Sequence, residues 1–145
     1  MKTAYRVPKG MFGASGFESQ DTEQNSPITA IKVNSLVVDP APGAVLERGK
    51  RVEVLGIAWD GGSGIRNVEV SLDGGKTWRD AQLQRDLGRY SWRQWRYAIK
   101  PEQAGAMTLM ARAHARDGST QAETLVQNPA GYHHNVVQKV DYHVA

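Results

Sequence analysis

Two adjacent histidines, His133 and His134, are the side chains of this sequence best suited to hold a metal or move a proton near neutral pH. Successive residues of a strand point to opposite faces, so the pair cannot chelate one ion unless the backbone bends between them. The further donors near them in sequence are Asp141 and His143. His133 and His134 therefore read first as loop histidines bonded to backbone, and second as groups at a pocket mouth or interface. Asp60, Glu69 and Asp73 each stand in an expected turn or strand without a paired partner, so no acid–base pair emerges from them. The chain has no cysteine, which excludes disulfides, thiolate nucleophiles and thiolate-bound metal within it. No residue is assigned a catalytic role.

The elements that hold these groups are short. Ile31, Val33, Leu36 and Val38 mark a first strand that stops at Asp39 and Pro40, and residues 42–46 suit a short edge strand, where proline is tolerated. Residues 51–59 alternate, with Val52, Val54 and Gly56 on one face and Glu53 and Leu55 on the other. A glycine-rich turn at 60–64 leads to Ile65, Val68, Val70 and Leu72, and then to Asp73, Gly74 and Gly75, a strong hairpin signal. Residues 77–83 return. Residues 90–99, 107–115 and 135–144 supply three more strands, the last alternating as Val137, Lys139, Asp141 against Val136, Gln138, Val140. Turn signals every eight to twelve residues and no capped helical stripe predict an all-β chain. The fold expected is an immunoglobulin-like antiparallel β-sandwich of seven to eight strands. Residues 1–27, with scattered glycine and serine and no sustained period, form an irregular N-terminal arm.

Ser71, Asp73, Gly75 and Trp78 have the spacing of a compact hairpin. The Asp73 carboxylate accepts turn N–H groups, glycine supplies positive φ, and the indole packs back. The pattern resembles the Asp-box of sialidase-type propellers, which recurs once per blade. One copy is a structural hairpin, since repeat architectures need several units. Trp59, Trp78, Trp92 and Trp95 could form a stacking platform. Trp92 and Trp95 fall on opposite faces of an unbroken strand, so at least half the tryptophans are expected in the core. Arg93 and Arg96 read as surface or interface arginines.

The 145 residues, 40% of them hydrophobic, suffice for one buried core. A net charge of +3 comes from 18 basic and 15 acidic residues that are interspersed, without the basic stripe of a nucleic-acid binder. No run approaches the roughly twenty apolar residues of a membrane span. The first twelve residues lack the apolar stretch of a signal peptide.

The ordered block from Gly56 through Trp59, Asp60, Arg66, Ser71 and Asp73 to Trp78 resembles the C-terminal dimerisation domain of the sulfite oxidase family. Three segments agree with it: Tyr90, Ser91, Trp92, Arg93, Gln94 and Trp95; residues 111–117 with Gln121; and the run Gln127, Asn128, Pro129, Ala130, Gly131, Tyr132, His133, His134, Asn135 before a terminal strand. The resemblance spans residues 28–145 and is closest to bacterial sulfite dehydrogenase-like members. Met1 to Arg6 resemble the end of that family's molybdenum domain, so residues 1–27 are expected to be its end and linker.

This resemblance implies a dimerisation module of a molybdenum cofactor oxidoreductase acting on sulfite or a related sulfur oxyanion, inactive alone. The parent enzyme would carry molybdenum–molybdopterin; this chain would carry no cofactor and no metal. It also implies homodimerisation through the sandwich, a cytochrome-type electron acceptor for the parent, no nucleic acid or membrane partner, and a periplasmic location. Tyr5 falls where the family has a substrate-pocket tyrosine, and with His133 and His134 it would line substrate only in the parent enzyme. Ala130 stands where some members have a substrate-reaching arginine, and Gln127 where tryptophan is common, which puts the vertebrate-type pocket in doubt. The alternative is a stand-alone sandwich binding carbohydrate or protein, which would need an exposed aromatic patch.

Overall fold

A computed structural model describes residues 4–10, 19, 21–125 and 131–145. Every regular element among them is a strand. Two short strands in the arm, β1 (Arg6–Pro8) and β2 (Asn25–Pro27), pair antiparallel as a ribbon. The sandwich comprises β3 (Asn34–Asp39), β4 (Val45–Leu46), β5 (Val52–Trp59), β6 (Ile65–Ser71), β7 (Arg79–Asp80), β8 (Gln82–Leu83), β9 (Arg93–Ile99), β10 (Gly105–Ala115) and β11 (Gln138–Val144). One sheet runs β4-β11-β10-β6-β7 and the other β3-β5-β9-β8, the paired sheets of an immunoglobulin-like sandwich. The expected strand over residues 77–83 is split. Arg79 and Asp80 pair with β6, the buried Ala81 donates its N–H to the Val68 carbonyl, and Gln82 and Leu83 then pair with β9 in the opposite sheet.

The core is the set of inward residues from both sheets, including Val54, Ala58, Val68, Val70, Trp95, Leu109, Ala111, Ala113 and Val140. Period-two alternation places them on one face of each strand. Trp95 is fully buried, and its ring lies over Gly56, where a Cβ would sit 2.1 Å from the indole. Only glycine leaves room for the largest side chain of the core.

The sequence assigned no face to the first strand, and two other expectations need correcting. On β3 the inward residues are Ser35 and Val37, preceded by Val33, while Leu36 and Val38 are exposed. Ser35 is accommodated because its hydroxyl donates to Gln121 Oε1 at 2.6 Å, and a buried polar group is tolerated when bonded. Among the tryptophans only Trp95 is core; Trp59 and Trp78 are half-buried and Trp92 is 63% exposed. At the C-terminus Val137 is buried although Lys139 and Asp141 point outward, because regular pairing begins only at Gln138. Val137 instead donates its N–H to the Ala122 carbonyl, outside the ladder that sets the alternation.

Candidate functional site

The arm and the C-terminal segment meet along a seam beside residues 28–34. Ile28 N–H donates to the Tyr5 carbonyl at 2.9 Å, and the Tyr5 ring stands 5.8 Å from the Tyr132 ring. His133, at φ 58°, donates from Nε2 to the Ala30 carbonyl at 3.0 Å; the acceptor is a carbonyl, so this nitrogen bears the proton. Asn135 Nδ2 donates to the Val33 carbonyl at 3.2 Å, and Asn34 Nδ2 to the His134 carbonyl at 3.2 Å. The bend at His133 sends the two imidazoles to different places. His133 is half-buried at the seam, whereas His134 is exposed and lines a groove of about 650 Å³ with Leu36, Glu123 and Leu125. Tyr5 and His133 thus share one seam with Tyr132, and His134 stands apart. Ala130 and Gln127 lie outside the described residues.

Gln121 fixes this seam to both sheets. Its Oε1 accepts from Ser35 Oγ on β3 and from the Ala113 N–H on β10 at 2.8 Å, while its Nε2 donates to Asn34 Oδ1 at 2.8 Å. The same Asn34 then holds the His134 carbonyl, so one buried amide carries order from the core to the C-terminal segment.

The outer faces of the two sheets differ sharply. On the five-stranded sheet, Glu69 Oε2 accepts from Arg112 Nη2 at 2.9 Å and lies 2.7 Å from His114 Nε2. Arg112 also bonds Glu123 and stacks on Trp78, 4.1 Å from its ring centroid. Burial pushes the Glu69 carboxyl upward, but Arg112 and His114 outweigh it and hold Glu69 below the usual carboxylate value. Asn67 bonds Asp80, and Thr108 bonds Asp141. These polar groups satisfy one another.

The outer face of the four-stranded sheet carries an apolar strip bordered by polar and charged side chains. Leu36 pairs with Ile57 across β3 and β5, and Val38, Leu55 and Ile57 line one shallow groove of about 150 Å³ with Gln94 and Arg96. Leu36 and Val38 are 40% and 56% exposed. At one end Trp59 meets the exposed Trp92, ring centroids 6.5 Å apart, and the Arg96–Glu53 ion pair flanks the strip. The face carries aliphatic, aromatic and arginine side chains, a combination enriched at protein interfaces.

The hairpin is built as its spacing predicts. Asp73 Oδ1 accepts from the Thr77 N–H at 2.9 Å and from Ser71 Oγ, and Gly74 and Gly75 have φ of 76° and 90°. Trp78 Nε1 donates to the Gly75 carbonyl at 3.0 Å. Those bonds, first the Thr77 N–H, lower the Asp73 carboxyl to about 2. The sequence reading missed the Glu69 cluster. Arg112 and His114 are two apart on one strand face, but their meeting with Glu69 depends on the β6–β10 register, which spacing alone does not reveal.

A sandwich that exposes an apolar strip on one outer face presents a surface suited to association. The chain matches the Mo-co oxidoreductase dimerisation domain family over residues 25–145, and it belongs to that family. It is 35% identical over 106 residues to mitochondrial sulfite oxidase of Homo sapiens, covering 70% of this chain and 19% of the relative. It is 33% identical over 110 residues to sulfite oxidase of Gallus gallus, covering 72% and 24%. The chain therefore spans roughly a fifth to a quarter of the length of these relatives. In fold it is similar to the sulfane dehydrogenase SoxCD of Paracoccus pantotrophus, with a TM-score of 0.69 and 24% identity over 93% of this chain and 33% of that one. The matches support the dimerisation-domain reading over a stand-alone binding module.

Proposed function

We propose that this chain is the pairing module of a sulfite oxidase-type molybdenum enzyme acting on sulfite or a related sulfur oxyanion, and that two copies associate through the outer face of β3, β5 and β9. The observation that carries the pairing surface is the apolar strip from Leu36 and Val38 through Leu55 and Ile57 to Trp59 and Trp92. Exposed contiguous apolar surface rimmed by charge marks association sites. A two-fold contact would bring the same strip from each protomer together.

The residues of this chain do not fit a molybdenum–molybdopterin group. It has no cysteine, and among the described residues no three His, Cys, Asp or Glu side chains are grouped to hold a metal. The cofactor, the oxidation of substrate and the cytochrome-type acceptor belong in this proposal to the rest of the parent enzyme, and residues 1–27 to its end and linker. Tyr5, His133 and His134 act there as wall residues, the seam holding Tyr5 and His133 in place. A periplasmic location is part of the same proposal and is checked by fractionation.

Sedimentation of the double variant Leu36→Glu, Ile57→Lys tests the surface. It should be folded by circular dichroism yet monomeric, while Val45→Glu, exposed on β4 of the other sheet, should associate as wild type does. A double variant that still pairs would refute this choice of face.

A further inference from the structure

Three guanidiniums converge on one cleft between the turn after β5 and the loop before β9. Arg89, Arg93 and Arg116 line about 490 Å³ together with Asp60, Asp86 and glycines 62, 64 and 88. Arg93, expected as a surface or interface arginine, has its side chain only 17% exposed, at the base of this cleft. The two carboxylates do not balance the three cations. Asp60 Oδ2 is taken up by its own turn, accepting from Ser63 N, Ser63 Oγ and Gly64 N at 2.5–2.9 Å. Asp86 Oδ2 is shared, 2.8 Å from Arg93 Nη1 and 3.9 Å from Arg116 Nη2, while its Oδ1 accepts from Gly88 N–H.

Not every guanidinium donor is taken by the protein. The Arg93–Asp86 contact lacks hydrogen-bond geometry, and Arg93 Nε and Nη1 are buried without an acceptor among the described residues. Arg89 spends its Nε on the Gly62 carbonyl at 3.0 Å, and its guanidinium rests 5.4 Å from the Tyr90 ring. Arg116 is 60% exposed at the rim. Gly62, Gly64 and Gly88 have φ of 110°, 93° and 144°, so these turns bring bare backbone to the wall where other residues would be strained.

We propose that this cleft is a binding site for a small tetrahedral oxyanion of the sulfate or phosphate kind. The fork of a guanidinium matches two oxygens of such an ion, and three arginines line one partly enclosed space. With three guanidiniums against Asp60 and Asp86 the lining keeps one net positive charge, which an anion offsets, and Arg93 beneath the site supplies charge in a setting with little water to screen it. None of the lining residues belongs to the apolar strip, whose Trp59–Trp92 end adjoins the cleft through Asp60, Ser91 and Arg93.

The test is an amide-resolved NMR titration of the 145-residue chain with inorganic phosphate, sodium chloride being adjusted to hold ionic strength constant. Saturable shifts should be confined to residues 60–65, 86–93 and 116. Arg116→Gln, at the exposed rim, should weaken the binding by about tenfold or more while leaving the rest of the spectrum unchanged. Arg48→Gln, exposed and outside the cleft, should bind as wild type does. Shifts that fail to saturate, that spread over the other basic residues, or that persist unchanged in Arg116→Gln would overturn the proposal.

Discussion

Trp95 and Gly56 face each other across β5 and β9 so closely that a Cβ on Gly56 would sit 2.1 Å from the indole and 2.5 Å from the Leu36 carbonyl oxygen. The pair couples the core to the proposed pairing face, because Gly56 also lines the groove formed by Val38, Leu55 and Ile57. Gly56→Ala should therefore lower stability by about 1–3 kcal/mol through overpacking. It should also weaken self-association, because Trp95 cannot move without displacing β3 or β9. Denaturant unfolding and sedimentation of one preparation check both effects; an unchanged unfolding midpoint would contradict the packing argument.

Asp73 should behave as a turn residue and nothing more. Asp73→Ala removes the acceptor for the Thr77 N–H, the Thr77 hydroxyl and the Ser71 hydroxyl, and should lower the melting temperature without altering association or phosphate binding. The sign with pH follows from its lowered carboxyl, ordinarily 3.8 and here about 2. Its contribution is present above the ordinary value and is lost as pH falls toward 2. The gap in melting temperature between wild type and Asp73→Ala should therefore close between pH 4 and pH 2. A gap constant over that range would contradict the assignment.

Glu69 serves two cationic neighbours at once, so Glu69→Gln should be costly. The amide leaves Arg112 and His114 without their shared carboxylate, a loss of about 1–3 kcal/mol for a half-buried charged acceptor. Because the folded state holds this carboxyl below its ordinary value, the stability it adds is present above that value and declines as pH falls below it. Urea unfolding of both proteins at pH 7 and at pH 3 should show the difference shrinking at the lower pH. A difference that grows on acidification would show that the carboxylate is not stabilised in the fold.

The turns, the all-β class and the family were legible in the sequence because they depend on local chemistry, whereas the sandwich has nine strands where seven to eight were expected. Asp73, Gly74 and Gly75 form the hairpin their types dictate, and Trp95 is the buried member of the Trp92–Trp95 pair as strand parity requires. What parity could not give was the direction of β3. Leu36 and Val38 are exposed while Ser35 and Val37 are buried, and Gln121 reaches from 86 residues away to satisfy the Ser35 hydroxyl. Two aliphatic residues are left outside, and the same two begin the apolar strip. The arginine cleft was hidden for a related reason: Arg89, Arg93 and Arg116 are separate in sequence and meet only when the two sheets are stacked.

Mass in solution across a dilution series tests the central claim most directly. Light scattering on the 145-residue chain should give about twice the 15.9 kDa monomer at high micromolar concentration, falling toward the monomer value on dilution or in the Leu36→Glu, Ile57→Lys variant. A mass that stays at 15.9 kDa at high micromolar concentration would contradict pairing through this sandwich.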